Sequence, residues 1–227
     1  MPDLLPLFPL NTVMVPGLVL PLHIFEPRYR EMVRVLELRP EADRQFVLAW
    51  VRPGGNPDDR GLVDLFPVGV LVQVREITEY PDGRFDISVV GVRRVELLEV
   101  DTSRPLLHSS VHLLEDPRGH DDIAEVQKAN VTRVVQAFAR YRELLAFSTG
   151  NDYSPDTDPP PDHVTLSYLI TAALVIPTDE RAQLLAAPSA EARLALAHQF
   201  IIREIKVLHA FHALPAMDAD VFRPSPN

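Results

Sequence analysis

Residues 4 to 29 read LLPLFPLNTVMVPGLVLPLHIFEPRY, and how this apolar stretch is punctuated decides the fold. Pro6, Pro9, Pro16 and Pro21 recur too closely for a helix, because each removes a backbone donor and clashes with the preceding turn. Leu4 to Leu7 and Leu18 to Ile24 therefore read as strands, and Pro16-Gly17 suits a tight turn in which glycine supplies the positive φ. The stretch ends in Phe25-Glu26-Pro27-Arg28-Tyr29. Pro27 fits the first position of a helix running to about Leu38, with Tyr29, Met32, Val33 and Leu36 as one apolar stripe, and Pro40 stops it. Arg30, Glu31, Arg34 and Glu37 take the remaining faces and read as solvated surface.

Downstream, alternation or short apolar runs predict strands over Phe46 to Val51, Val68 to Tyr80, Phe85 to Val90, Val92 to Val100 and Leu107 to Leu114. Asp82-Gly83 reads as a two-residue hairpin turn, and Gly91 as a bulge or bend in an otherwise continuous run, with Val89 and Val90 in the core. From Asp121 the period becomes helical. Asp122 and Glu125 suit a cap, and Ile123, Val126, Val134, Phe138, Tyr141 and Leu145 mark a long helix to about Phe147. The proline- and aspartate-rich segment 148–162 predicts an exposed, mobile loop. Asp162 caps a helix to Ile176, Pro177 leads into a short helix to Ala187, and Pro188-Ser189 opens a last helix with Leu194, Ile201, Ile205 and Leu208 on its buried face. The fold class is α+β: a β-rich barrel with one inserted helix over 1–117, a helical subdomain over 118–215, and a flexible tail over 216–227.

A chain of 227 residues with 46% apolar content has ample material for a core. It has no cysteine, which removes disulfides and thiolate metal sites and fits a reducing compartment. The first basic residue is Arg28, so no basic region precedes the apolar start, and no apolar run approaches the roughly 18 residues of a membrane span. A cytoplasmic protein without a membrane partner is expected. Net charge is −10, and Arg84, Arg93, Arg94 and Arg104 are interleaved with Asp82, Asp86, Glu96, Glu99 and Asp101, a pattern opposed to a phosphate-neutralising face.

The opening stretch with its Phe-Glu-Pro-Arg-Tyr end, VGVLVQVREITEYPDGRFDISVVGVRRVELLEV at 68–100 and LSYLITAALVIPTDERAQLLAAPSAEARLALAHQFIIREI at 166–205 together resemble, in order, the amino-terminal substrate-binding domain of Lon proteases. Some bacteria also make this module as a free-standing protein. The resemblance implies a PUA-like β-pseudobarrel followed by helices, and a non-catalytic role in binding unfolded or extended protein segments for a protease, chaperone or assembly partner. It does not extend to the Lon motor or peptidase. No Gly-x-x-x-x-Gly-Lys-Ser/Thr loop is present, and Lys128 and Lys206, the only lysines, sit in amphipathic helical segments rather than beside an activated serine. RNA or nucleotide binding through a PUA-like barrel, by way of Arg93 and Arg94, is the alternative.

Two aromatics, an acid and an arginine meet within five residues at the strand-to-helix junction. Architecturally, Phe25 and Tyr29 plug a barrel end, Glu26 caps the helix and Arg28 pairs with an acid. Functionally, the same junction borders an apolar groove and a strand edge open to main-chain pairing. The expected peptide-binding residues are Pro21, Leu22, His23, Phe25, Glu26, Arg28 and Tyr29, with Arg94 from a neighbouring barrel strand. His108 with His112, and His209 with His212, have spacings that could supply half a metal site, but surface histidines are the simpler reading. No catalytic residue, cofactor or metal is assigned, and the apolar stripes of the long helices leave homodimerisation open.

Overall fold

The computed structural model describes residues 4–52, 64–116, 125–149 and 160–213. The centre of the expected loop at 148–162, the tail at 216–227 and the expected cap at Asp122 lie outside the described residues. Among the described residues, six strands and five α-helices follow one another: β1 (Leu5–Leu10), β2 (Val19–Ile24), α1 (Pro27–Glu37), β3 (Gln45–Trp50), β4 (Val68–Glu79), β5 (Phe85–Asp101), β6 (His108–Leu113), α2 (Glu125–Thr149), α3 (His163–Ala173), α4 (Thr178–Ala186) and α5 (Ala190–Ala213). A short 3₁₀ turn, Glu41–Asp43, joins α1 to β3. The mixed α+β class expected from the sequence is what the chain adopts.

The sheet order is β2-β5-β4-β3-β1-β6, and β6 also pairs with β5. That last pairing, from Val95↔Leu113 to Asp101↔His108, closes β5-β4-β3-β1-β6 into a ring. Such closure is possible because β5 is 17 residues long: its first part, Phe85 to Val90, pairs with β2, and its later part with β6. The two strands expected on either side of Gly91 are thus one. Their interruption survives as a bulge, since Leu71 faces Arg93 while the next residue, Val72, faces Gly91 and Val92 has no opposite number. Gly91 is also where another backbone crosses: its N–H donates to the Leu18 carbonyl, and its carbonyl accepts from Gly17 N–H. Gly17 has φ +83° in the turn that Pro16 begins.

The hairpin between β4 and β5 differs from expectation. Gly83 N–H donates to the Tyr80 carbonyl, Tyr80 N–H donates to the Arg84 carbonyl, and only Gly83 has positive φ, at +78°. The loop is therefore Pro81-Asp82-Gly83. Proline fixes its own φ near −65° and suits the first central position of a type I turn, which leaves glycine to absorb the left-handed step; a two-residue type I′ turn needs positive φ at both centres.

Leu7, Val47, Leu71, Val95 and Val111 come from all five ring strands and pack in one cluster, which only the inside of a ring permits. The opposite strand faces carry Phe46, Leu48, Val70, Val72, Phe85 and Val89, and these pack with Tyr29, Met32, Val33 and Leu36 of α1. Each such side chain contributes about 1.5–3 kcal/mol by leaving water. The stripe read from sequence on α1 is the one buried.

Tyr168 of α3 and Ala182 and Leu185 of α4 join the same apolar cluster. They are held there by ions. Arg94 on β5 and Arg193 in the first turn of α5 are 2% and 0% exposed, and both contact the Asp116 carboxylate, at 2.8 and 2.9 Å to Oδ1. The Tyr168 hydroxyl donates to the other carboxylate oxygen, and the Arg193 guanidinium lies 4.1 Å from the Tyr168 ring centre. The remaining guanidinium N–H groups close the end of α4: Arg94 donates to the carbonyls of Leu185 and Ala187 at 2.9 and 2.6 Å, and Arg193 to that of Leu184 at 3.1 Å. These carbonyls lie at the C-terminal end of α4, where only that of Leu184 accepts a backbone bond, from Ala187 N–H at 3.3 Å, and where the negative end of the helix dipole falls, so they share with Asp116 in balancing two positive charges. Burial pushes the Asp116 carboxyl up, but the Tyr168 hydroxyl and the two guanidiniums outweigh it and hold the group below the usual carboxylate range. Burial, opposed by the charge of Arg193 and reinforced by the bond to Asp116, pushes the Tyr168 phenol well up.

Two compact units result: 1–122 with 160–193, and 123–159 with 194–227. This division runs differently from the boundary at 117/118 expected from sequence, because the buried cluster and the shared apolar contacts tie α3 and α4 to the barrel. In the second unit, α2 buries Val134, Phe138 and Tyr141, and α5 buries Leu194, Ala197 and Ile201, each set at helical spacing. Asp162 caps α3 as expected, accepting from Thr165 N–H at 2.8 Å, and α3 ends at Ala173, three residues early, with Leu174 extended.

Gly91→Ala is expected to cost about 1–3 kcal/mol, because its Cβ would lie 2.5 Å from the Val15 carbonyl oxygen and 3.0 Å from Pro16 Cα. An unchanged urea midpoint would contradict that crossing. Asp116→Asn is expected to cost about 3–5 kcal/mol at neutral pH, since two buried guanidiniums lose their counter-charge. The folded-state pKa of Asp116 is lowered, so its contribution is complete above the unfolded value of about 4 and fades as pH falls through the folded value. Urea unfolding of parent and variant should therefore converge as the pH is taken below that folded value; a constant gap would show that Asp116 is not the titrating group.

Candidate binding surface

Among the described residues, β2 pairs with β5 on one side only and forms the end of the sheet. Since the Leu18 carbonyl accepts from Gly91 N–H, alternation turns the backbone groups of Leu20 and Leu22 toward β5 and those of Val19, Pro21 and His23 to the open edge. Pro21 fits there because its missing N–H falls on the unpaired side. The side chains of Val19, Pro21 and His23 are exposed as well, Val19 by 58%, and Phe25 beyond the strand by 61%. Leu20, Leu22 and Ile24 point the other way, into the core.

A polar and aromatic group sits at one end of this edge. His23 Nδ1 lies 2.6 Å from Asp86 Oδ1, directly across the strand pair, and the Tyr80 hydroxyl donates to Asp86 Oδ2 at 2.5 Å. The His23 ring packs near both Phe25 and Tyr80, with centroids 6.3 and 6.2 Å away. Arg84 covers Tyr80 at 5.8 Å and bonds Asp82 at 2.7 Å. The hydrogen bond from Tyr80, and then that from His23, hold the Asp86 carboxyl below the usual carboxylate range, and the same bond pushes the Tyr80 phenol up.

At the other end the edge runs into a cleft of about 970 Å³. Val15, Leu18 and Val92 form one wall, Val164, Leu169 and Ala172 of α3 the other, and Tyr168 and Asp116 also line it. Arg93, Glu115 and Asp162 bring charge to the lining, and the Arg93 side chain has no hydrogen-bond or ion-pair partner among the described residues.

The sequence-derived residues separate into two groups. Pro21, His23 and Phe25 are on the surface, Leu22 is half-buried beneath them, and Glu26 and Arg28 pair with each other at 2.7 Å. Glu26 precedes the first turn of α1, but its side chain makes no capping bond because Arg28 holds it. Phe25 does not plug the barrel; Tyr29 is the buried one, stacked on Phe8 at 4.1 Å. Arg94 is enclosed, with its N–H groups engaged by Asp116 and carbonyls, so a ligand at the surface does not meet it. Among the described residues, no three His, Cys, Asp or Glu side chains are grouped to hold a metal, and no helix is long and apolar enough to cross a membrane. Tyr80, Arg84, Asp86 and the α3 wall were not read from sequence. Arg84 and Asp86 share a strand face by their spacing, but nothing local shows that β2 lies beside them.

A closed β-ring with an added open edge strand, backed by short helices that wall a cleft, defines a mixed α+β domain with a surface suited to holding another molecule. The chain belongs to the LON substrate-binding domain family: the family model, described as the ATP-dependent protease La (LON) substrate-binding domain, matches residues 4–203. It is 26% identical over 209 residues to a Lon protease of Anaeromyxobacter dehalogenans, a match covering 91% of this chain and 24% of that protein. A Lon protease of Xanthomonas oryzae is 34% identical over 137 residues, 60% of this chain and 14% of that one. The chain thus spans about a quarter or less of the length of these curated relatives. Among solved structures, a Lon N-terminal domain protein from Xanthomonas campestris aligns with TM-score 0.61 and 21% identity, covering 88% of this chain and 98% of the other. The N-terminal domain of a Mycobacterium avium complex Lon protease aligns with TM-score 0.60 and 18% identity, covering 90% and 98%. Both share the fold.

Asp86→Ala is expected to bring the Tyr80 phenol back down toward its ordinary value of about 10. Phenolate absorbance across an alkaline titration measures it, and an unmoved Tyr80 curve would contradict the hydrogen bond.

Proposed function

We propose that this chain is a recognition module that holds extended or unfolded protein segments along the open edge of β2, acting without catalysis as an adaptor- or chaperone-like element in the cytoplasm. The observation that carries this reading is the unpaired edge itself. Val19 and His23 offer outward N–H and carbonyl groups to a partner strand, while Val19, Pro21 and Phe25 offer apolar side chains beside them. Pro21 withholds one donor from any added ladder. Binding is therefore short in register and tolerant of sequence, which suits diverse unfolded segments better than one fixed ligand. The apolar cleft that begins at Leu18 extends the surface for a bulky side chain. Membership of the substrate-binding family supports the same reading. RNA binding through Arg93 and Arg94 has less support, because Arg94 is enclosed.

Hydrogen exchange with and without an unfolded polypeptide, such as reduced and alkylated lactalbumin, tests the proposal. The amides of Val19 and His23, which make no bond to β5, are expected to gain protection, while Leu20 and Leu22 change little. Exchange unaltered at Val19 and His23 at saturating polypeptide would sink it.

A further inference from the structure

Arg30 and Arg34 lie one turn apart on α1, and their guanidiniums converge on the hairpin loop. The Nη2 atom of each would lie 3.2 Å from a Cβ placed on Gly83, and both line an open pocket of about 630 Å³ with Glu79, Tyr80, Pro81 and Asp82. Neither arginine is firmly paired. The closest approaches of Arg34 to Glu31 and Glu79 are both 3.8 Å, beyond hydrogen-bond reach, and its guanidinium stands 5.6 Å from the Phe85 ring centre. The Arg30 side chain has no hydrogen bond or ion pair among the described residues, and its Nε is buried without an acceptor. With Nε enclosed and Nη2 at the loop, the terminal N–H groups are left for something outside the chain.

Charge indicates what that is. Asp82 is held by Arg84 and Asp86 by His23 and Tyr80, and of the acids that line the pocket Glu79 stands beside Arg34, so Arg30 is the lining cation with no acid within 4 Å among the described residues. A single negative charge balances it; a phosphate or polyanion would meet Glu31, Glu79, Asp82 and Asp86 around the pocket. A carboxylate matches both the charge and the planar fork of a guanidinium. Tyr80 lines this pocket and also packs on His23, whose other neighbour is Phe25, so the pocket continues an aromatic row from the β2 edge. We infer that the Arg30–Arg34 pocket is a carboxylate subsite, which takes one acidic side chain or chain terminus of a polypeptide whose apolar residues lie along Tyr80, His23 and Phe25. The source of the carboxylate rests on the peptide-binding reading, whereas the pocket's affinity for a carboxylate does not.

Two titrations followed by the arginine Nε–H signals and the Gly83 amide in ¹H–¹⁵N spectra test it. Sodium acetate is expected to shift Arg30, Arg34 and Gly83 saturably, against sodium chloride at matched ionic strength. Arg30→Gln abolishes the effect, and Glu79→Gln strengthens it, a gain that misfolding cannot produce. Acetylated, amidated Leu-Val-Phe-Glu-Leu is then expected to bind about three- to tenfold more tightly than its Phe-Gln counterpart, a difference that Arg30→Gln removes. No acetate response at Arg30, or equal affinity of the two peptides, overturns the inference. Acetate shifts at Arg30 with neither peptide bound support the carboxylate pocket and count against the peptide reading alone.

Discussion

Asp116 sits between two guanidiniums that reach it from distant parts of the sequence, Arg94 on the long strand β5 and Arg193 at the start of α5. Two buried cations and one carboxylate would be a costly arrangement by themselves. The end of α4 makes it workable, because the carbonyls of Leu184, Leu185 and Ala187 accept the remaining N–H groups and the Tyr168 hydroxyl completes the carboxylate. Every partner is polar and directional, so the cluster specifies one placement of α3 and α4 on the barrel where apolar contact alone would allow several. The cleft follows from that placement: its α3 wall, Val164, Leu169 and Ala172, is where it is because Tyr168 between them is tied to Asp116.

The open edge depends on the other half of the same strand. β5 closes the ring with β6 by its later part, and with its earlier part extends past the ring to carry β2. A ring with no edges would have little main-chain surface to offer. This one is closed and then extended by one strand, and the bulge at Val92 together with the Gly91 crossing marks where the two pairings of β5 meet.

Much of this architecture is written locally. The prolines of the opening stretch exclude a helix, Pro27 and the Tyr29-Met32-Val33-Leu36 stripe set α1, and Asp162 caps α3, all from residues within a turn or two of one another. The union of two expected strands into β5 was not legible, because Gly91 looks like a break until the crossing backbone of Val15 and Pro16 explains it. Nor was the enclosure of Arg94. Beside Arg93 in sequence it reads as half of a basic surface pair, yet alternation along β5 sends one outward and the other inward, and its partners lie 21 and more residues away. The surface itself was half visible: Pro21, His23 and Phe25 follow from exposure on an edge strand, while Tyr80 and Asp86 join them only through the β2–β5 register, which no local pattern encodes.

That the β2 edge and its cleft together grip unfolded polypeptide is most directly tested by site-specific photo-crosslinking. A benzophenone side chain is placed in turn at Phe25, at Leu18 and, as an equally apolar control, at Leu98, which is 57% exposed on the later part of β5. With reduced and alkylated lactalbumin, crosslinks are expected from the first two positions and not from Leu98. Equal crosslinking from all three, or none from Phe25 and Leu18, would contradict the account.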